Sequence, residues 1–362
     1  MSRVAVLGGG NGAYAAAADL ADQGQEVRLW RRNRDAFAPV RDSGEITLTD
    51  ASGSRAVKLA LASDDIGEVV RGAELIVIPC PAFAQDDIAQ AIAPHISAGQ
   101  VVFLPPGSFG SYTMAHGVRA ATPVDDLIFA ETGTLPYLAR KHGPAEVAIA
   151  VRATRLPTGV FPARLADQAL PVIGCAYPAV EGIDNALSGA LMNAGPIIHT
   201  PLILMNAGPL EHFNRWDIHN EGTQPSIRRV TSALDAERIT VREALGYGAP
   251  HFPLADHYVK DGDEWMYGRE AHAKLTESGD WRETIDLESH RYMTEDVFYG
   301  LALLVSVADW CGVSCPVASG LLAMASAVAG RDLRLEGRTF ENLGLAGKNG
   351  EELSALLNDG FA

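Results

Sequence analysis

Gly8-Gly9-Gly10-Asn11-Gly12-Ala13 fits the pattern G-x-G-x-x-A. In such a run Gly8 allows a tight turn, Gly10 lets the backbone approach a pyrophosphate, and the small Ala13 lets a following helix pack close to a sheet. The first N–H groups of that helix carry partial positive charge suited to an anion. Asn11 and Gly12 complete the turn and count with Gly8, Gly10 and Ala13 as cofactor-binding candidates. A second group follows at Trp30-Arg31-Arg32-Asn33-Arg34. Arg31 stands 23 positions after Gly8, about where an NAD site carries an acid for the ribose 2′-hydroxyl. No acid is there, and the next one is Asp35. Arg31, Arg32 and Arg34 instead suit a 2′-phosphate, whose oxygens a guanidinium binds in pairs. The expected cofactor is therefore NADP (NADPH) in preference to NAD.

The second half holds His199, His212, His219, His251, His257, His272 and His290. No two have the H-E-x-x-H spacing of a zinc helix. Cys311 and Cys315 have no second pair and read as packed thiols, so no metal site is expected. His199 lies in LMNAGPIIHTPLILMNAG, an otherwise apolar helical stretch. It reads either as a satisfied core histidine or as a general base working near neutral pH. Arg291 and Asp296, in HRYMTEDVFYG, read equally as a helix start, with Thr294 as a cap and Glu295 and Asp296 favouring an N-terminus. Spacing alone does not connect them to His199. Glu211, Asp217 and Glu221 either meet a cationic substrate side chain or form a solvated acidic loop.

The elements that must position these residues differ between the two halves. RVAVL (3–7), the glycine run, the alanine-rich AYAAAADLADQG and EVRLW (26–30) make a βαβ unit. That context gives the glycine motif its specificity. Apolar runs recur at 75–79, 101–105 and 127–131, separated by helix-like stretches. Strands alternating with helices predict a doubly wound parallel sheet over roughly residues 1–180. Segments 46–48 and 57–61 suggest an extra hairpin. From about Ile183 the pattern turns helical: Leu187, Leu191, Ala194 and Ile198, then Val297, Leu301, Leu304, Val305 and Ala308, recur at helical spacing. A further helix is expected over 317–329, between Pro316 and Gly330. The expected organisation is α/β: a dinucleotide-binding Rossmann domain over 1–183 and an all-helical domain over 184–362.

The 362 residues suffice for two domains. The net charge of −16 disfavours nucleic acid and anionic membrane as partners. No run of about 18 uninterrupted apolar residues occurs, so no transmembrane helix is expected. The first residues lack a secretory signal's apolar core, and four cysteines are too few for a disulfide framework. A cytoplasmic protein with small-molecule partners is expected. No interface stripe stands out above the core helices, which leaves a homodimer open.

GGGNGA, Asn193 to His199 as N-x5-H, and RYMTEDV occur in this order, together with ETGTLPYLAR, EGTQPSIRRV, DAERITV and EGRTFENLGL. In these the chain resembles the opine dehydrogenases of the octopine/nopaline type over nearly its whole length. One departure is Thr200, which intervenes before Pro201 where relatives often place proline directly after the histidine. The resemblance implies reductive condensation of an amino acid with a 2-oxo acid, commonly pyruvate, to a secondary amine dicarboxylate. It implies that His199 and Asp296 act together, that Arg291 holds a substrate carboxylate, and that the site lies in an interdomain cleft. A two-domain ketone reductase is the first rival. It would carry a lysine in the helical domain's site, yet Lys260, Lys274 and Lys348 all lie outside the His199 helix. A catalytically inactive nucleotide sensor is the second.

Overall fold

The computed structural model describes residues 2–254, 266–268, 271–277 and 279–361; His257 and Lys260 lie outside them. The chain divides into two compact units, Met1–Gly189 with Ala355–Ala362, and Ala190–Ser354. The expected boundary at 183/184 thus differs from the observed one by six residues, and the last eight residues group with the first unit.

In the first unit an eight-stranded sheet runs β12-β11-β8-β7-β6-β1-β2-β5. Its strands are β1 (Arg3–Leu7), β2 (Glu26–Trp30), β5 (Leu61–Ser63), β6 (Leu75–Val77), β7 (Val101–Leu104), β8 (Ile128–Thr132), β11 (Leu156–Phe161) and β12 (Val180–Gly182). From β5 to β8 all neighbours are parallel. Read in chain order these six strands have the 3-2-1-4-5-6 arrangement of a dinucleotide-binding sheet. Strand β11 then pairs antiparallel to β8.

A second sheet, β4-β3-β10-β9, is built from β3 (Glu45–Asp50), β4 (Gly53–Lys58), β9 (Tyr137–Gly143) and β10 (Glu146–Arg152). The expected hairpin is β3–β4, while β9 and β10 were not anticipated. Helix α1 (Asn11–Asp22) packs against both sheets, which explains its alanines. Every residue from Gly12 to Leu20 is buried, and only small side chains let two sheets close on one helix. Helix α2 (Arg34–Ser43) follows β2 and is capped by Asn33, whose side chain accepts the Ala36 N–H.

The second unit is helical. Asn193 caps the helix Ala194–Met205, which carries His199 and continues through Pro201. Residues 186–205 are long and apolar enough to cross a bilayer, but 78% of the apolar window is buried inside the protein. The long helix Pro225–Ala244 contributes a buried pair, Asp235 and Arg238, 2.7 Å apart. Arg238 donates to the carbonyls of Leu191 and His251, and Asp235 accepts the Leu254 N–H. The motif DAERITV is therefore a structural latch. The segment Tyr292–Leu301 is π-helical and runs into the α-helix Ala302–Cys311. The sequence pattern had suggested ordinary α-helix, but one extra residue per turn leaves an i, i+4 apolar repeat nearly intact.

Candidate active site

The His199 helix and the π-helical segment approach closely at two glycines. A Cβ on Gly195 would lie 2.2 Å from Asp296 Oδ1, and one on Gly300 would lie 2.0 Å from Pro196 Cγ. Without side chains at these points, the Asp296 carboxylate reaches the His199 ring, with Oδ2 2.8 Å from Nδ1. Tyr292, one turn before Asp296, stacks on the same ring at 3.9 Å between centroids. His219 meets His199 edge-on at 5.6 Å. Asp217 fixes that turn by accepting the N–H groups of His219 and Asn220. The Asp296 carboxylate and the rings of Tyr292 and His219 thus help to hold the imidazole. Its side chain still keeps 17% of its surface exposed, enough to meet a substrate. Thr200 before Pro201 leaves this arrangement intact.

Burial pushes the Asp296 carboxyl up to about 7, against the pull of the neighbouring Arg291 and His290 charges. Asp296 therefore changes protonation state near neutral pH, the range in which a general acid–base group works best. Arg291 lies exposed beside them, its guanidinium carbon 5.1 Å from the Tyr292 ring centre. It forms no ion pair among the described residues. His199, Asp296 and Arg291, which spacing could not connect, are brought together. Of the three acids considered for a cationic substrate, Glu221 is held bidentately by Arg282. Asp217 is buried in its turn, and Glu211 is exposed.

At the other candidate site Gly8 has φ +146, a conformation open to glycine. A Cβ on Gly10 would meet nothing within 4 Å. No side chain caps the first turn of α1, so the turn fits a cofactor pyrophosphate. Gly12 has a packing role, since a Cβ there would strike Leu135 at 2.6 Å. Ala13 is buried behind Gly8. The Asn11 side chain accepts the Lys141 N–H at 3.0 Å, tying β9 to the turn.

The three arginines separate. Arg31 folds back over Gly9, where a Cβ would lie 2.3 Å from its Nε, and donates to Tyr14 Oη and the Ala36 carbonyl. Arg32 and Arg34 do not join it. Arg32 pairs with Asp87 and Arg34 with Asp64, their side chains 70% and 72% exposed. The Asn33 cap turns the chain into α2 at this point and carries both outward. Two further residues of interest escaped the sequence reading. Lys141 from β9 reaches the Gly9 carbonyl. Glu131, fully buried at the end of β8, accepts the N–H groups of Phe109 and Ser111 and the Ser111 hydroxyl. Only its place in ETGTLPYLAR hinted at a role.

Residues 182–329 match the family described as NAD/NADP octopine/nopaline dehydrogenase, alpha-helical domain. Residues 3–105 match the NAD-dependent glycerol-3-phosphate dehydrogenase N-terminus. The chain is 30% identical over 350 residues to an opine dehydrogenase of Arthrobacter sp. (strain 1C), covering 95% of both chains. The chain belongs to the opine dehydrogenase family. It is accordingly an NAD(P)-dependent oxidoreductase acting on CH–NH groups. Among solved structures, an octopine dehydrogenase in complex with NADH and agmatine superposes with a TM-score of 0.73 at 20% identity, covering 100% and 99% of the two chains. Other octopine dehydrogenase structures hold L-arginine or pyruvate beside NADH. An NADP+-bound yersinopine dehydrogenase superposes at 0.67 with 14% identity, covering 99% and 98%.

Proposed function

We propose that this opine dehydrogenase condenses an amino acid with a 2-oxo acid, pyruvate foremost, and reduces the product with NADPH. The observation that carries the chemical part is the His199–Asp296 hydrogen bond beside an exposed Arg291 with no ion pair among the described residues. With Nδ1 engaged by Asp296, His199 Nε2 takes a proton from the substrate ammonium, freeing the amine to attack the ketone carbon. The same nitrogen returns the proton to the carbinolamine oxygen, which leaves as water. Asp296 fixes the imidazole tautomer and stabilises its charged form. Arg291 grips a substrate carboxylate through paired hydrogen bonds and aligns the imine carbon. The cofactor supplies the hydride that converts the imine to the secondary amine.

The NADPH part is supported by Arg31, at the end of β2, lying over the glycine turn without an ion pair among the described residues. The proposed setting is cytoplasmic, with free amino and 2-oxo acids as partners. The test is NADPH and NADH oxidation with pyruvate against a panel of amino acids, with product masses. Oxidation that needs both substrates and gives the condensed mass supports the proposal. Oxidation with the 2-oxo acid alone would establish the ketone reductase instead.

A further inference from the structure

We infer that Lys141, reaching in from β9, is the second cation of the site for the cofactor's 2′-phosphate, beside Arg31 at the side chain of Tyr14. This rests on the NADP(H) reading above and adds a residue 110 positions from the arginine cluster. The Lys141 ammonium lies 3.4 Å from the Tyr14 ring centre, and the Arg31 guanidinium carbon lies 5.8 Å from it. Both touch the same turn. Lys141 Nζ is 3.4 Å from the Gly9 carbonyl, and the Arg31 stem covers the Gly9 Cα. The end of β2 is where the ribose 2′ position is read, so the two cations converge on that position, to one side of the pyrophosphate ground at Gly10.

Their lack of carboxylate partners points to an anion from outside. In this acidic chain, Arg28, Arg32, Arg34, Arg55 and Arg152 each hold a carboxylate within 3.1 Å. Neither Arg31 nor Lys141 has one within 4 Å among the described residues. Two like charges are held close by neutral groups: a phenol, a ring face and two carbonyls. Burial and the Arg31 charge together bring Lys141 down to about 8. Such an arrangement is unfavourable by itself and is relieved by a dianion bound between the charges. The Asn11 bond to the Lys141 backbone holds β9 in place independently of the ammonium, so the side chain can be changed without releasing the strand.

The experiment compares wild type with Lys141→Met, Lys141→Arg and Arg31→Met. It measures kcat/KM for NADPH and NADH, and affinity for adenosine 2′,5′-bisphosphate against 5′-AMP. Loss of one charge-assisted contact should lower the NADPH/NADH ratio of Lys141→Met by about tenfold or more. Its preference for the 2′-phosphorylated nucleotide should fall in parallel, while Lys141→Arg retains most of both. Equal loss for both cofactors, or an unchanged ratio in Lys141→Met, overturns the assignment. If Arg31→Met abolishes the preference and Lys141→Met does not, the NADP(H) reading stands and Lys141 is excluded. A wild-type protein that binds both nucleotides equally removes the reading and the inference together.

Discussion

Gly195→Ala is the sharpest test of how the active site is assembled. The new Cβ would lie 2.2 Å from Asp296 Oδ1 and 3.1 Å from its Cγ, while real Cβ contacts essentially never fall below 3.0 Å. The carboxylate must therefore retreat by at least ~0.8 Å. A retreat of that length directly away from His199 takes the 2.8 Å hydrogen bond to about 3.6 Å, which no longer counts as one. A displacement of this order in a catalytic group costs about 10²-fold in rate. The helix itself gains, since alanine is favoured over glycine by about 1 kcal/mol. The expected result is kcat reduced by about 10²-fold with unchanged cofactor affinity in a protein that still folds, the helix gain partly offsetting the lost hydrogen bond. Gly320→Ala is the control, because a Cβ there meets nothing within 4 Å; its kcat should match wild type. A Gly195→Ala protein with wild-type kcat would refute the claim that the Asp296 position sets the rate.

His199→Ala and Asp296→Asn should each lower kcat by roughly 10²–10⁴-fold with NADPH affinity preserved, as steady-state and cofactor titrations would show. Arg291→Ala should raise the KM of a carboxylate substrate by about 10–100-fold. Because Arg291 pulls the Asp296 carboxyl down, its loss should also shift the acid limb of the kcat/KM profile to higher pH; an unmoved limb would count against their coupling. Arg32→Ala and Arg34→Ala, which break surface ion pairs, should leave the NADPH/NADH ratio within about twofold, exposed pairs being worth little. Glu131→Leu strands two buried N–H groups and a hydroxyl. It should cost roughly 3 kcal/mol, seen as a melting temperature about 6–12 °C lower.

The parallel sheet was legible because buried strands such as RVAVL, LIVIP and VVFLP are apolar on both faces and stand out from their surroundings. Strands β9 and β10 were not. EVAIAVR carries its charges on one face and YLARKHG has Arg140 and Lys141 in succession, so neither stands out as a buried strand, and their role is to cover a helix whose own composition revealed no second sheet. The glycine turn was legible from local chemistry, but the fate of its neighbours was not. Arg31, Arg32 and Arg34 look alike in sequence, and only the Asn33 cap decides which of them faces the turn. Lys141 meets Gly9 across 132 positions, a pairing no local pattern encodes. The same holds for His199 and Asp296, 97 positions apart. Family resemblance joined them, whereas the glycine contacts that allow the pairing emerge only from the packing of the two helices.

The central claim is that the amino nitrogen is retained and the hydride enters at the former ketone carbon. One incubation decides it: reductively deuterated NADPH, pyruvate and a ¹⁵N-labelled amino acid, with the product isolated and its mass and proton spectrum recorded. The chemistry proposed for His199, Asp296 and Arg291 predicts a single secondary amine dicarboxylate carrying both labels, with deuterium on the carbon that was the ketone. A deuterated 2-hydroxy acid without nitrogen, formed equally well when the amino acid is omitted, would contradict it.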